Sequence, residues 1–243
     1  FITTNNESHG KIFNKALNEK LNIYIEKPLS TSLSELNKIE KKLNSNISKV
    51  YYLGFNRRFS SLNKEISKHI EDKGPIFINY NINATTTDIN HWTSDENNGG
   101  RLVGEICHFV DYCSFIIKSE IVSWSCSHQN SLNDNISISL SYSNGSRANI
   151  NYVTYGCDNY PKENIYFFFE KKMIHLVDFK KLYFYGFSFF KKTKTLISQD
   201  KGQKNMIEKF LYDIENNIFD SFNIRKVIHE NKLLLEIKNE ILK

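Results

Sequence analysis

Lys27 follows a short apolar strand, predicted over Ile23 to Glu26, and is itself followed by Pro28. Proline has no N–H for a sheet ladder and favours an extended backbone at the preceding residue, so the strand should end on the lysine ammonium. In open α/β sheets, ligands collect outside the carboxyl ends of the strands. An ammonium there could hydrogen-bond a substrate hydroxyl or take part in proton transfer. The alternative is a surface lysine that ends an ordinary strand.

His108 is the second residue placed for chemistry, on a helix predicted after the Gly99-Gly100 turn. The helix is indicated by apolar residues at helical spacing: Leu102, Val103, Ile106, Phe109, Val110, Cys113 and Ile117. Glu105 and Asp111 lie three residues before and after the histidine, on the same face. Carboxylates at these offsets can fix the imidazole tautomer and raise its basicity, which suits a general acid–base. A surface histidine with acidic neighbours is the alternative.

The elements around Lys27 predict a parallel β-α-β unit. An apolar strand ends at Thr4, a helix carries Ile12, Phe13, Ala16 and Leu17, and the strand before Lys27 follows. Because such units are parallel and right-handed, Thr4 to Asn6 and Lys27 should lie side by side at one sheet edge. A further strand over Val50 to Gly54 precedes Asn56, Arg57 and Arg58. Two adjacent arginines could hold an anion or a polyhydroxyl substrate, or could simply be solvated.

The chain changes character from residue 75 onward, where apolar and polar residues alternate. The clearest alternation runs over Ile136 to Tyr142, and Asn144-Gly145 then turns the chain into Ala148 to Val153, a strong hairpin signal. Further strands and two amphipathic C-terminal helices follow. The predicted fold class is therefore α/β plus α+β: part of a parallel sheet, then a large, mostly antiparallel open sheet with flanking helices and one solvated face.

Composition excludes several classes of protein. The 243 residues carry a net charge of +5 with scattered basic residues, which argues against a nucleic-acid partner. No apolar run approaches the ~18 residues that suggest a transmembrane helix, so no membrane partner is predicted. Four cysteines without a Cys-x-x-Cys pair favour a reducing cytoplasm and give no metal site. The first residue is Phe1 and it opens directly into a strand, so we expect a fragment that lacks its start.

Together these segments resemble the glucose-fructose oxidoreductase / inositol dehydrogenase (Gfo/Idh/MocA) family of NAD(P)-dependent dehydrogenases over the whole chain. The resemblance is carried by Ile2-Thr3-Thr4 with His9, Glu26-Lys27-Pro28, Gly54 to Ser60, and His91-Trp92 with Gly99 to Asp111. Segments 161–163, 177–179 and 199–202 resemble the branch that often follows an alcohol-dehydrogenase-like half in surface-polysaccharide metabolism. The resemblance implies the C-terminal part of a Rossmann domain over residues 1–58 and an α+β substrate-binding and oligomerisation domain over residues 59–243.

The family implies hydride transfer between NAD or NADP and a hydroxyl-bearing carbon of a sugar or sugar derivative. Lys27 and His108 would be catalytic: Lys27 contacts the reacting hydroxyl and the nicotinamide ribose, and His108 exchanges the hydroxyl proton. The cofactor side would be lined by Thr4, Asn5, His9, Glu26, Lys27 and Pro28. The substrate would be bound by Asn56, Arg57, Trp92 and Glu105. The expected partners are a small sugar and further copies of the chain, as a dimer or tetramer.

Three features depart from the family pattern. Gly104 stands where an aspartate is usual, with Glu105 beside it, and Gln203 stands where the branch often has histidine. The ten glycines contain no Gly-x-Gly-x-x-Gly, so about three strands with the pyrophosphate site should precede Phe1, and the chain alone should bind dinucleotide poorly. This absence leaves open a non-catalytic relative that serves self-association or sugar binding. The 14% aromatic content leaves open a polysaccharide-binding β module.

Overall fold

The computed structural model describes residues 1–44, 47–71, 73–84, 99–129, 135–188, 192–220 and 222–242. These residues form two compact units. The first comprises the described parts of Phe1–Phe55, Asp88–Asp111 and Lys204–Lys243; the second comprises those of Asn56–Thr87 and Tyr112–Gln203. Two later segments belong to the first unit because their helices pack on its strands and helices. The predicted division into domains 1–58 and 59–243 stays a prediction.

The first unit contains two short parallel strands, β1 (Ile23–Ile25) and β2 (Tyr51–Leu53), paired with Ile25 opposite Leu53. Ile2 forms a parallel bridge to Ile25 on the other side of β1, where a longer strand was predicted. Every residue of β1 and β2 is buried. Strands buried in this way consist almost entirely of apolar and aromatic residues, as both do here.

Helices α1 (Asn6–Asn18), α2 (Leu33–Leu43), α5 (Gln203–Glu215) and α6 (Ile224–Ile241) pack with these strands or with one another. Phe210 of α5 packs its ring against Tyr24 of β1 and Tyr52 of β2. The buried Tyr52 hydroxyl also donates to Asp213 of α5 at 2.7 Å. These contacts explain why a helix near the end of the sequence belongs to the unit formed by its beginning.

The second unit is built on an eight-stranded mixed sheet. Its strands are β3 (Phe77–Asn83), β4 (Ile121–His128), β5 (Ile136–Tyr142), β6 (Arg147–Val153), β7 (Glu163–Phe169), β8 (Lys172–Val177), β9 (Lys181–Tyr185) and β10 (Thr193–Thr195), in the order β10-β9-β8-β7-β3-β6-β5-β4. The strand pairs between described residues are antiparallel except for β3 with β6. The predicted Asn144-Gly145 hairpin is present between β5 and β6, and Gly145 adopts φ +83°, which favours glycine.

One face of this sheet is buried and the other is solvated. On the buried face the ring of Tyr80 lies 6.1 Å from that of Tyr112, in helix α4 (Cys107–Ile117), and Phe184 lies 5.4 Å from His69 of helix α3 (Asn63–Ile70). Side chains on the outer face remain partly exposed in alternate positions along the strands. Among the described residues, no helix is long and apolar enough to cross a membrane.

Candidate active site

Lys27 lies just past the carboxyl end of β1, as predicted. The N–H of Glu26 donates to Ile2 at 2.9 Å and the N–H of Gly54 donates to Ile25 at 2.8 Å, and the chain then leaves the sheet. Lys27 is partly exposed, whereas Pro28 after it is buried and joined by a cis peptide bond. The ammonium of Lys27 donates a hydrogen bond to the carbonyl oxygen of Gly104. This contact ties the end of β1 to the segment that carries His108.

His108 is tied to the neighbouring strand. Its imidazole packs edge-to-face against the ring of Phe55, with centroids 5.7 Å apart and an interplanar angle of 83°. Ile25 and Leu53 are paired in register, so Lys27 and Phe55 hold equivalent positions two residues beyond the carboxyl ends of adjacent strands. Their contacts reach residues 104 and 108, one turn apart on the same helical segment. The structure therefore brings Lys27 and His108 to one edge of one sheet.

The segment around His108 exposes few side chains. From Arg101 to Asp111, a stretch that the structure describes throughout, Glu105 and His108 are partly exposed and the other residues are buried. A carboxylate and an imidazole thus share the accessible face, three residues apart. The second predicted carboxylate, Asp111, is buried, with 1% of its surface exposed, so the expected acidic residue on the far side of His108 does not share that accessible face.

The helix before His108 differs from the one predicted. Residues Leu102–Ile106 form a π-helical turn, and α4 continues from Cys107. The apolar spacing in the sequence predicts a helical segment but does not distinguish a π turn from an α turn. Single π turns inside helices are rare and occur frequently at functional sites. Gly104, whose carbonyl receives the Lys27 hydrogen bond, lies within this turn.

Glu26 occupies a defined place beside Lys27. Its carboxylate accepts a 2.9 Å hydrogen bond from the Tyr24 hydroxyl and lies directly over Gly54. A Cβ at residue 54 would come within 2.3 Å of the Glu26 Oε2 atom, so the glycine leaves room for the carboxylate. Burial and the nearby Glu26 charge raise the pKa of Tyr24, which keeps its hydroxyl protonated and able to donate. No sequence motif predicts this role for Gly54 and Tyr24.

His9 is completely buried and bonds main-chain groups, although it was expected to line the cofactor side. Its Nδ1 lies 2.8 Å from the Pro28 carbonyl oxygen and its Nε2 lies 3.0 Å from that of Thr4. Carbonyls only accept, so the ring can donate both bonds only when both nitrogens carry hydrogen. His9 thus connects Pro28, the residue after Lys27, to Thr4 near the start of the chain. Thr4 and Asn5 are exposed at that end, and their cofactor role stays a prediction.

The residues predicted to face substrate after β2 have partners within the second unit. The Asn56 amide donates to the Lys201 carbonyl at 2.8 Å. The buried Arg57 guanidinium donates to both carboxylate oxygens of Glu163, at 2.8 and 2.7 Å. The Lys201 ammonium also lies 2.6 Å from Glu163. In these contacts the polar side chains form hydrogen bonds and ion pairs within the second unit. A substrate role for Asn56 and Arg57 stays a prediction.

Trp92, the remaining predicted substrate residue, lies outside the described residues, as does His91. Among the described residues, no group of histidine, cysteine, aspartate and glutamate side chains is arranged to hold a metal ion. The groups at the sheet edge include the Lys27 ammonium, the His108 imidazole and the Glu26 carboxylate. Glu105 adds a partly exposed carboxylate three residues before His108. An ammonium with spare N–H donors beside an imidazole can bind a hydroxyl group and exchange its proton.

Solved structures of dehydrogenases share this fold. A dehydrogenase (MviM) from Clostridium difficile is 22% identical, with a TM-score of 0.75, over 98% of this chain and 77% of that one. The myo-inositol 2-dehydrogenase from Lactobacillus plantarum is 15% identical, with a TM-score of 0.78, over 100% and 78%. GenD2 from gentamicin A biosynthesis, in complex with NAD, is 13% identical, with a TM-score of 0.73, over 96% and 72%.

The chain has the fold of these dehydrogenases. Neither a protein-family model nor a curated protein sequence matches it. At identities of 13–22%, the likeness to the solved structures establishes the architecture, an α/β fold with a mixed sheet and flanking helices. This likeness in fold agrees with the resemblance inferred from the motifs. The reaction is inferred from the residues of the site.

Proposed function

We propose that this chain carries the hydride-transfer site of an NAD- or NADP-dependent oxidoreductase that acts on a hydroxyl-bearing carbon of a sugar or sugar derivative. One observation carries the proposal: Lys27 contacts Gly104 and Phe55 contacts His108 at equivalent positions beyond two adjacent parallel strands. Carboxyl ends of parallel strands are where open α/β sheets bind ligands. Two groups suited to alcohol chemistry therefore lie where a substrate is expected.

The two residues take different parts in the reaction. The Lys27 ammonium has three donors, and one is used on Gly104. The others are available for the reacting hydroxyl and for the nicotinamide ribose. His108 takes the hydroxyl proton when the alcohol is oxidised and returns it when the carbonyl is reduced. Glu105, partly exposed on the same face as His108, would orient the sugar or the imidazole.

The nicotinamide cofactor, when bound, supplies the acceptor or donor of the hydride. The described residues fit its nicotinamide end, because the exposed Thr4 and Asn5 and the partly exposed Glu26 and Lys27 present hydrogen-bonding groups at one sheet edge. His9 and Pro28 are buried and would support this surface from behind. The glycine-rich turn that binds pyrophosphate has no counterpart in this sequence. The proposed activity is therefore tested on the complete gene product.

The substrate class is inferred from chemistry and from the neighbours. A sugar or cyclic polyol offers several hydroxyls, which suits the ammonium, imidazole and carboxylate of Lys27, His108 and Glu105. A myo-inositol 2-dehydrogenase shares the fold. Both NAD and NADP are proposed as cofactors.

The experiment is a turnover assay of the complete gene product with NAD and with NADP over a panel of sugars and sugar nucleotides. Replacement His108→Asn should lower turnover by roughly 10²–10⁴, the usual effect of losing a general acid–base. His229→Asn is the matched control, because His229 is exposed on α6 of the same unit. Equal turnover in the His108→Asn variant and the wild type would overturn the proposed mechanism.

A second candidate, self-association or sugar binding without catalysis, is favoured by the outer face of the second unit. There His175 stacks on Tyr166 with centroids 4.2 Å apart and on Tyr183 at 5.7 Å, and Phe168 lies 6.2 Å from Phe77. Burial lowers the pKa of His175, which favours the neutral ring within this stack. Sugar binding that is independent of NAD(H) and intact in His108→Asn would support a binding module.

We also propose that this outer face associates with a second copy of the chain, to give a dimer or tetramer. The proposal is supported by the partly exposed aromatic rings on the face, including Phe168 at 40% and Tyr185 at 50%. Large exposed apolar patches on a protein surface mark interaction sites. The wild-type oligomeric state in solution is the direct test.

A further inference from the structure

We infer that Phe55 is a positioning residue for His108: its ring holds the plane of the imidazole in the orientation needed for proton exchange. The inference rests on the proposed function, since it assigns a role to Phe55 through the proposed acid–base. Phe55 itself carries no group that could exchange a proton. Its effect would come through the contact between the two rings.

Phe55 is itself firmly held. It is 5% exposed, two residues after the end of β2. Its N–H donates to the Leu53 carbonyl at 2.6 Å, so the chain turns immediately after the strand. The strand, in turn, is paired in register with β1. The position of the Phe55 ring is thus set by the same sheet edge that carries Lys27.

His108 is partly exposed, and the torsion between Cβ and the ring of a histidine has a broad energy profile, so the contacts of the imidazole decide its ring plane. The 83° angle and 5.7 Å separation from Phe55 lie within the favoured edge-to-face geometry for aromatic rings. Rotation of the imidazole out of this angle loses the contact. Phe55 can therefore select one ring plane among several that the torsion allows.

The orientation of the imidazole matters because proton exchange requires a nitrogen within hydrogen-bond reach of the hydroxyl. Misplacement of a reacting group by ~1 Å can cost about 10²-fold in rate. Phe55→Leu keeps an apolar side chain but removes the ring. We expect kcat to fall about 10- to 100-fold while KM for the sugar changes much less, because the binding groups remain. Phe55→Tyr keeps the ring and should restore most of the lost rate.

The matched control is Phe13→Leu in the same unit. Phe13 is fully buried and packs edge-to-face on Tyr51, with centroids 5.8 Å apart at 64°. The Phe13→Leu variant therefore loses the same kind of ring contact, at a position away from Lys27 and His108. We expect Phe13→Leu to lower thermal stability at least as much as Phe55→Leu and to leave kcat nearly unchanged. If Phe55→Leu melts below the assay temperature, Phe55→Met, which is closer in volume, takes its place.

A second readout does not need turnover. In the NMR spectrum of this chain, the ring C–H signals of His108, assigned by their loss in His108→Asn, should move in Phe55→Leu because the ring current of Phe55 is gone, and should stay in Phe13→Leu. Unmoved signals, or kcat effects equal to those of Phe13→Leu, would overturn the inference. If His108→Asn keeps full turnover while the signals move as expected, the proposed function fails and the ring contact remains.

Discussion

Lys27 donates a hydrogen bond to the main-chain oxygen of Gly104, 77 residues later in the sequence. The acceptor is a backbone group, so it is present whatever side chain residue 104 carries. In the family that the sequence resembles, an aspartate is usual at this position, whereas this chain places its candidate carboxylate on the next residue, Glu105. The hydrogen-bond acceptor of the Lys27 ammonium is therefore independent of the side chain at residue 104.

The first prediction concerns Lys27→Ala. We expect turnover of the complete gene product to fall by at least about 10²-fold, because both the proposed hydroxyl contact and the ribose contact are lost. The fold should survive, since loss of one hydrogen bond typically costs about 1 kcal/mol. Thermal unfolding and steady-state kinetics measure the two effects separately.

Lys232→Ala provides the comparison for Lys27→Ala, because Lys232 is also partly exposed in the first unit and pairs with Glu40 at 2.6 Å. It should leave turnover unchanged. A variant Lys27→Ala that no longer folds would instead identify Lys27 as a structural lysine.

Local signals in the sequence predict where Lys27 and His108 lie, because each is in a short motif next to a predicted strand or helix; their catalytic roles stay predictions. The partners of Arg57 could not be predicted in the same way. Glu163 lies 106 residues away, at the start of β7, and no periodicity links the two positions. The same limit applies to the π turn at Leu102–Ile106 and to the two units, because both depend on packing between distant segments.

The second prediction concerns Glu163, which is fully buried. Burial alone would raise the pKa of its carboxyl, but Arg57 and Lys201 together lower that pKa well below its usual value. We expect Glu163→Gln to destabilise the protein by about 3–5 kcal/mol at pH 7, because a buried guanidinium loses its counter-charge. Denaturant unfolding of the variant and the wild type measures the difference.

The pH dependence of this difference follows from the lowered pKa. The folded-state pKa lies below the unfolded-state value near 4.5, so the stabilisation is complete above that pH and is lost as the pH falls through the folded-state pKa. The difference in the free energy of unfolding between the wild type and Glu163→Gln should therefore decrease below about pH 4.5. Glu71→Gln, which removes an exposed pair with Lys118, should show little loss at any pH. If that difference in the free energy of unfolding stays constant from pH 7 to 3, the pKa of Glu163 is not lowered in the folded protein and the prediction is wrong.

The third prediction concerns the outer face of the second unit. Phe168→Glu introduces a carboxylate beside Phe77 on this face, and burying that charge in an interface would be costly. We expect the variant to be monomeric at concentrations where the wild type associates, as measured by light scattering after gel filtration. Leu211→Glu changes an exposed apolar residue of the first unit and should not alter the mass. A wild type that is monomeric throughout would end the proposal of self-association.

The fourth prediction tests whether the place of Glu26 matters to cofactor binding. In Gly54→Ala the new Cβ would lie 2.3 Å from Glu26 Oε2, so the carboxylate must swing away and lose its bond to the Tyr24 hydroxyl. The side chain can move at its far end, so we expect the fold to be retained. The KM for NAD or NADP should rise about 10-fold, the equivalent of one lost hydrogen bond, with a smaller change in kcat.

Gly74→Ala separates this effect from that of adding a methyl group to a glycine. Among the described residues, apart from the two chain neighbours, no heavy atom lies within 4 Å of a Cβ at residue 74. The cofactor KM of this variant should match that of the wild type. Glu26→Gln distinguishes position from charge: it keeps the side-chain length over Gly54 and removes only the charge. If Gly54→Ala raises the KM for the cofactor and Glu26→Gln does not, cofactor binding depends on the position of the Glu26 side chain beside Lys27 and not on its charge. If neither changes KM, Glu26 does not line the cofactor side, and the expectation drawn from its position next to Lys27 is wrong.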